Sequence, residues 1–406
     1  MRRKITLFAG LFLALSLNVK AADIIVDPTL TTLPAAYASA ASGDVLVLMD
    51  GNYVVDGNIT MTKAITIKAQ NSKKATISGA SFLFTTSSTG SLTVQDLVLD
   101  GTKTGGTTFA GYLVDFNGTY PLAVNQITFD NCSITKYGNC MLRANRGECT
   151  CDGLKINNCI IYNNGYVAAY PFFQVTKTKF GTGSLELTNS TVYDFANEYI
   201  QNYSTTAGGD NTATYLFKNN TFFNTVTVTA RRPFNFSSGI VKVQNNIFVQ
   251  STTGTRLLSQ TININAAIAS TEFSYNDVYN YKSDSLLYYT GWQTNLFNHN
   301  DNPMFKDSAN NDFTLPEGST LITMKVGDPR WFGTISAINS PKASSTAISY
   351  NGTEIKLSET RDINIYSVTG ELLKSAKQVN VLSVANLSKG IYIVKAGSAV
   401  QKFISR

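Results

Sequence analysis

Between residues 92 and 278 one pattern of apolar and polar positions returns five times in full: apolar, any, apolar, any, Asn, any, any, apolar. It reads Ile127-x-Phe129-x-Asn131-x-x-Ile134, Leu154-x-Ile156-x-Asn158-x-x-Ile161 and Leu185-x-Leu187-x-Asn189-x-x-Val192. It continues as Tyr215-x-Phe217-x-Asn219-x-x-Phe222 and Val241-x-Val243-x-Asn245-x-x-Phe248. Weaker copies flank these around Asp96 and Tyr275, and an earlier strand pattern lies at Ile65-x-Ile67-x-Ala69. Successive anchors stand 26 to 35 residues apart.

Period-two alternation on both sides of the anchor predicts strands, and repeats of this length leave no room for a crossover helix in each. The spacing predicts stacked strand coils, a parallel β-helix in which like residues line up in columns about 4.8 Å apart. Asn suits the column because it tolerates the left-handed backbone of a sharp corner, and its amide can reach the Asn of the next coil. The anchors are therefore read as structural. The exposed first coil needs a cap against edge pairing, and residues 33–41, Ala-rich with Pro34 near the start, predict a short helix followed by the strand of residues 45–49.

Composition changes the picture mainly through charge. The 406 residues carry a net +6, which taken alone points to an anionic macromolecule. Four positive charges lie in residues 1–21, however, and a surplus of five lies in residues 342–406, so the body between them is at −3. No nucleic-acid partner is expected of a body with that balance. Met1-Arg2-Arg3-Lys4 precedes an apolar run over residues 5–19, with small residues at Val19-Lys20-Ala21, which predicts a secretory signal peptide over residues 1–21. The run is too short to span a bilayer, and no later one is apolar enough, so no membrane span is expected.

All five cysteines (Cys132, Cys140, Cys149, Cys151, Cys159) fall within 28 residues. Cys-x-Cys at 149 and 151 lacks the spacing of a zinc knuckle, and the one histidine, His299, is distant. Structural thiols or one local disulfide are the expectation, with no metal site.

Two resemblances follow from particular motifs. Ser42-Gly43-Asp44-Val45-Leu46-Val47-Leu48, Gly51-Asn52-Tyr53 and Ile65-Thr66-Ile67 resemble the cap and first coils of pectate-lyase-like right-handed parallel β-helix proteins. Asn302-Pro303-Met304-Phe305, Asn311-Asp312-Phe313-Thr314-Leu315 and Gly327-Asp328-Pro329-Arg330-Trp331 resemble the closing segment of the Bacteroidetes members, a domain family of unknown function. The superfamily includes lyases of uronic-acid polymers. At the far end, residues 363–370, 387–394 and 400–406 resemble the C-terminal sorting domain of the type IX secretion system, a small β-sandwich. The expected organisation is a signal peptide (1–21), a β-helix domain (22–335), a Ser/Ala/Lys linker (336–346) and the sorting domain (347–406). The resemblances imply export to the outer surface or beyond by the type IX machinery, in a Gram-negative bacterium.

Candidate chemistry is narrower. One histidine rules out most imidazole catalysis, and the paired-carboxylate motifs of polygalacturonase-type hydrolases are missing. A β-eliminating lyase needs instead a base beside a uronate carboxyl and cations to stabilise the enolate-like intermediate. Polar residues following apolar pairs, Asp115, Arg143, Gln174, Gln201 and Asn235, predict one outward column when the coils stack. Arg143 and Arg231 are the candidate base or neutraliser; Arg146, Arg232, Gln174, Gln201, Asp115, Asn235, Tyr170 and Tyr203 are the candidate substrate contacts. Arg231-Arg232-Pro233 is similar in part to the Arg-x-Pro-x-x-Arg of pectate lyases, although Phe236 stands where the second Arg belongs. The resemblance allows calcium as a cofactor. The expected function is elimination on an acidic polysaccharide, with non-catalytic glycan binding or adhesion as the alternative.

Overall fold

The computed structural model describes residues 21–86, 90–165, 167, 170–195, 200–202, 212–225, 234–236, 239–251, 263–264, 268–280, 294–296, 301–333, 348–368, 370–397 and 399–405. The chain divides into two compact units, Met1–Gly333 and Thr334–Arg406.

The first unit is a parallel β-helix. Strands from successive coils stack into an eleven-stranded, a nine-stranded and a six-stranded sheet, with a short three-stranded sheet closing part of the circuit. One coil shows the order: Ile127–Asp130 in the eleven-stranded sheet, Ser133–Thr135 in the nine-stranded, Cys140–Arg143 in the six-stranded and Cys149–Cys151 in the three-stranded. Inward residues of every sheet meet in one core, among them Phe82, Phe129, Phe173 and Phe217, all fully buried. The helix Leu33–Ser39 begins where Thr32 accepts a hydrogen bond from the Ala35 amide, and it places Leu33, Ala36 and Tyr37 over the first coil's core.

The corner prediction holds at every anchor. Asp96, Asn131, Asn158, Asn189, Asn219, Asn245 and Tyr275 all have φ between 49° and 61°. Their amides form a ladder: Asn158 Nδ2 donates to Asn131 Oδ1 (3.3 Å) and Asn219 Nδ2 to Asn189 Oδ1 (3.0 Å). Asn189 Nδ2 turns instead to Asn157 Oδ1 (2.9 Å).

A second column, one residue further on, lies inside the corner: Cys132, Cys159, Ser190, Asn220, Asn246 and Asn276, all buried. From Cys132 to Asn246 each backbone N–H meets the side chain of the next coil, starting with Cys132 N to Cys159 Sγ (3.4 Å), through Ser190 N to Asn220 Oδ1 (3.0 Å), and ending with Asn246 N to Asn276 Oδ1 (3.0 Å). These N–H groups lie away from water and need partners. Thiols give way to a hydroxyl and then to amides along the column, so Cys132 and Cys159 fill corner positions. All five cysteines are buried and unpaired. Burial pushes the Cys149 thiol up to about 11 and Cys151 to about 12, so neither is a ready thiolate.

Residues 301–333 run back over the outer face of the nine-stranded sheet, where Tyr193, Phe223 and Val249 share a register row. Phe313, Leu315, Leu321 and Val326 bury that row in a separate core. The Gly327 to Trp331 motif is the clasp: Thr191 Oγ1 donates to Asp328 Oδ2 (2.7 Å), Trp331 Nε1 donates to Thr191 Oγ1 (2.6 Å), and Arg330 Nη2 donates to Asn158 Oδ1 (2.6 Å).

The second unit is one five-stranded antiparallel sheet. Its fourteen-residue strand Glu354–Ser367 pairs early with Ile348–Tyr350 and late with Gly390–Ala396, and along most of its length with Leu372–Ser383, where the register shifts. Ile355, Ile363, Ile365, Val394 and Phe403 form its core. No helix among the described residues is long and apolar enough to cross a membrane. The expected signal peptide lies outside the described residues except for Ala21.

Candidate functional site

The six-stranded sheet carries the predicted polar column. Val114, Leu142 and Phe173 align and point into the core; Asp115, Arg143 and Gln174 align beside them on the other face. Arg143 Nε donates to Asp115 Oδ1 (2.7 Å), and Nη2 donates to Oδ2, a bidentate pair. The guanidinium carbon also lies 4.0 Å from the centre of the Tyr112 ring. Only 12% of the Arg143 side chain and 9% of Asp115 are exposed. Burial works against the guanidinium's charge, but the hydrogen bonds and charge of Asp115 outweigh it and hold Arg143 above its usual range. A guanidinium held protonated accepts no proton, so this geometry suits Arg143 to neutralising or positioning and not to acting as a base.

Past this column the chain turns into the three-stranded sheet, Leu122–Val124, Cys149–Cys151 and Thr178–Lys179. Leu122, Cys149 and Thr178 face inward, so Ala123, Thr150 and Lys179 face out. A cavity of about 370 Å³ opens here, lined by Pro121, Leu122, Glu148, Thr150, Lys177 and Lys179. Arg146 is exposed in the turn between column and shelf. Tyr120 links the two: its ring packs on Gly147, burial raises its hydroxyl's pKa, and the charges of Arg146 and Asp115 both reach it.

The structure thus brings Asp115, Arg143 and Gln174 together and sets Arg146 at their edge. Tyr170 is half-buried in the approach to the Phe173–Gln174 strand. Gln201 is displaced from the expected column: it pairs with Phe173, and Asn202 takes the place beside Gln174. Asn235 pairs with Asn263 in a separate two-stranded sheet. Arg231, Arg232 and Tyr203 lie outside the described residues, as does His299. Lys177 and Lys179 were not among the candidates, because the pattern used selected polar residues after apolar pairs. Their own signal is the alternation Thr176-Lys177-Thr178-Lys179, a strand with a basic outer face. Calcium finds no cluster of three carboxylate, imidazole or thiol groups among the described residues.

The comparisons give a class first. Residues 340–406 match the secretion system C-terminal sorting domain, so the chain is marked for export to the cell surface or beyond it. Residues 51–195 match a family described as a domain of unknown function, DUF4957. No curated protein matches the sequence. Among solved structures, the chain is similar to the pectin methylesterase from Aspergillus niger, at 13% identity over 77% of this chain and 94% of that one, with a TM-score of 0.33. It is also similar to a PL6 family alginate lyase, at 15% identity over 75% and 56% of the two chains, TM-score 0.19. A mannuronic acid specific polysaccharide family 6 lyase from human gut microbiota is 12% identical over 76% and 96%, TM-score 0.19.

Proposed function

We propose that this exported β-helix holds an acidic polysaccharide against the flank formed by the Asp115, Arg143 and Gln174 column and the neighbouring basic shelf. The observation that carries the reading is the placing of Lys177 and Lys179 beside one open cavity, with Arg146 exposed in the adjoining turn, on a body whose overall charge is negative. Three cations there, against Glu148, form a local anion-attracting strip that the net charge conceals. A repeating carboxylate polymer matches such a strip better than a small anion does, because it engages several cations at once.

The test is retention of the full chain in gels containing alginate or polygalacturonate, compared with gels containing neutral polymers. Retention in the acidic gels, falling as salt rises, is expected. The combined Lys177→Ala and Lys179→Ala change should weaken it by about tenfold, at ~1 kcal/mol or less for each surface charge. Equal migration in acidic and neutral gels sinks the reading.

Elimination on the bound polymer is the second reading. The observation that favours it is the convergence of a carboxylate, a guanidinium and a phenol at Asp115, Arg143 and Tyr112. Arg143 would face the uronate carboxylate as its charge grows in the transition state. Appearance of unsaturated uronides in the ultraviolet checks it; silence on a broad panel of polyuronates leaves the binding reading alone.

A further inference from the structure

The outward row of Tyr193, Phe223 and Val249 continues one coil further on to Tyr279. The closing segment begins beside it, where Asp301 N donates to Asp277 Oδ1 (2.9 Å), and goes on as Asn302-Pro303-Met304-Phe305. Pro303 is buried, and Phe305 packs against Phe313 with ring centroids 5.3 Å apart. Met304 between them is 68% exposed and stands at φ 49°, a left-handed backbone that is uncommon for a long side chain. Its N–H donates to Asn302 Oδ1 (2.9 Å), so the motif itself holds the Met304 side chain out toward solvent.

Between this motif and the Tyr279 strand lies a cavity of about 390 Å³, lined in part by Ser251, Tyr279, Asn280, Asn302, Met304 and Ser308. That volume falls within the ~300–1,000 Å³ of small-ligand sites, which combine an apolar wall with a few placed polar groups. Phe223, Val249 and Phe305 supply the wall, and none of the described lining residues is charged. Ser251, Asn302 and Met304 are exposed, while Tyr279, Asn280 and Ser308 are half-buried. Asn280 Nδ2 donates to Gln250 O (3.0 Å). The Asn280 Oδ1, the Asn302 Nδ2 and the hydroxyls of Ser251, Tyr279 and Ser308 have no hydrogen-bond partner among the described residues, and no aromatic ring among them stacks on Tyr279.

We propose that this cavity binds one uncharged sugar unit of a neutral glycan. The lining selects that class by elimination. An anion would be desolvated there with no cation to meet it, and a cation with no carboxylate. A wholly apolar ligand would strand the free amides and hydroxyls. A pyranose offers both a C–H face and a fringe of hydroxyls: the face rests on the free part of the Tyr279 ring and on the Met304 thioether, and the hydroxyls bond Ser251 Oγ, Asn280 Oδ1 and Asn302 Nδ2. The site is independent of the basic flank, since it lies on the nine-stranded sheet and uses no charge.

The experiment is calorimetric titration of the full chain with neutral gluco-, manno-, galacto- and xylo-oligosaccharides, with oligouronates and a short polyamine alongside. At least one neutral oligosaccharide should bind, and its binding should survive excess alginate. Tyr279→Ala, Asn302→Ala and Ser251→Ala should each weaken it by about fivefold, the value of one lost hydrogen bond or ring contact. The proposal is overturned if no neutral member binds, if an oligouronate or the polyamine displaces the one that does, or if binding is unaltered in all three variants. Should Tyr279→Ala or Asn302→Ala unfold the chain, Ser251→Ala decides the matter: it removes one exposed hydroxyl and keeps the backbone bond from Ser251 N to Asn224 Oδ1 (2.9 Å).

Discussion

Asp115 and Arg143 hold opposite charges where little water reaches them, so each depends on the other. Removing one partner of such a pair strands a buried charge and costs about 3–5 kcal/mol, whereas replacing both by apolar residues of similar shape is often neutral. Arg143→Ala should therefore lower unfolding stability by roughly 3 kcal/mol in a urea titration. The double change Asp115→Leu with Arg143→Met should recover most of that. Equal losses in single and double variants would mean that the pair contributes no mutual compensation. The same arithmetic governs any activity assay: loss of turnover in Arg143→Ala alone does not separate chemistry from folding, and the melting curve of that variant has to accompany it.

At the scale of the coil, the two corner columns divide the work. The outer anchors meet a conformational demand, since the left-handed φ favours Asn, and Asn219 adds one amide bond to Asn189. The inner column meets a hydrogen-bonding demand. Asn220 accepts from Ser190 N (3.0 Å) and donates to Leu187 O (2.8 Å) and Asn246 Oδ1 (2.9 Å) while fully buried. Asn220→Ala should cost about 1–3 kcal/mol, because it leaves the buried Ser190 N–H without its partner. Asn219→Gly should stay within about 1 kcal/mol, since Gly adopts positive φ freely. Chemical denaturation of the two variants ranks them, and a larger loss at Asn219 would reverse the assignment.

Across the β-helix unit the closing segment introduces a dependence on pH. Burial raises the Asp277 carboxyl to about 7 and Asp328 to about 6. Asp277 Oδ1 accepts from Asp301 N (2.9 Å), its Oδ2 has no partner among the described residues, and the Asp301 charge adds to the rise. Arg330 and Thr191 oppose the rise at Asp328 without cancelling it. A folded-state pKa above the unfolded value means that the folded state binds the proton more tightly. The resulting stabilisation is fully present below about 4 and declines as pH rises through about 6 to 7. The melting temperature should accordingly fall by several degrees between pH 5 and pH 8. Asp277→Asn, which fixes that side chain neutral, should remove much of the slope; an unchanged slope would place the dependence elsewhere.

The sequence by itself determined the coil. Strand alternation and the left-handed corner are local demands, answered by residue type at each position, so Asn131, Asn158, Asn189, Asn219 and Asn245 announce them one by one. The sorting domain was legible for a similar reason, its strands and turns being short local signals. Only the tertiary structure decided which polar residues share a face. Asp115 and Leu122, Arg143 and Cys149, and Gln174 and Thr178 stand seven, six and four residues apart, so turns of unequal length reset the register on each coil. Sequence offset therefore chose Gln201 where the ladder takes Asn202, and it passed over Lys177 and Lys179. It gave no sign that residues 301–333 fold back over Tyr193 and Phe223. That placement follows from burying an aromatic row on the outside of a sheet, a partnership between segments far apart in the chain that no local pattern encodes.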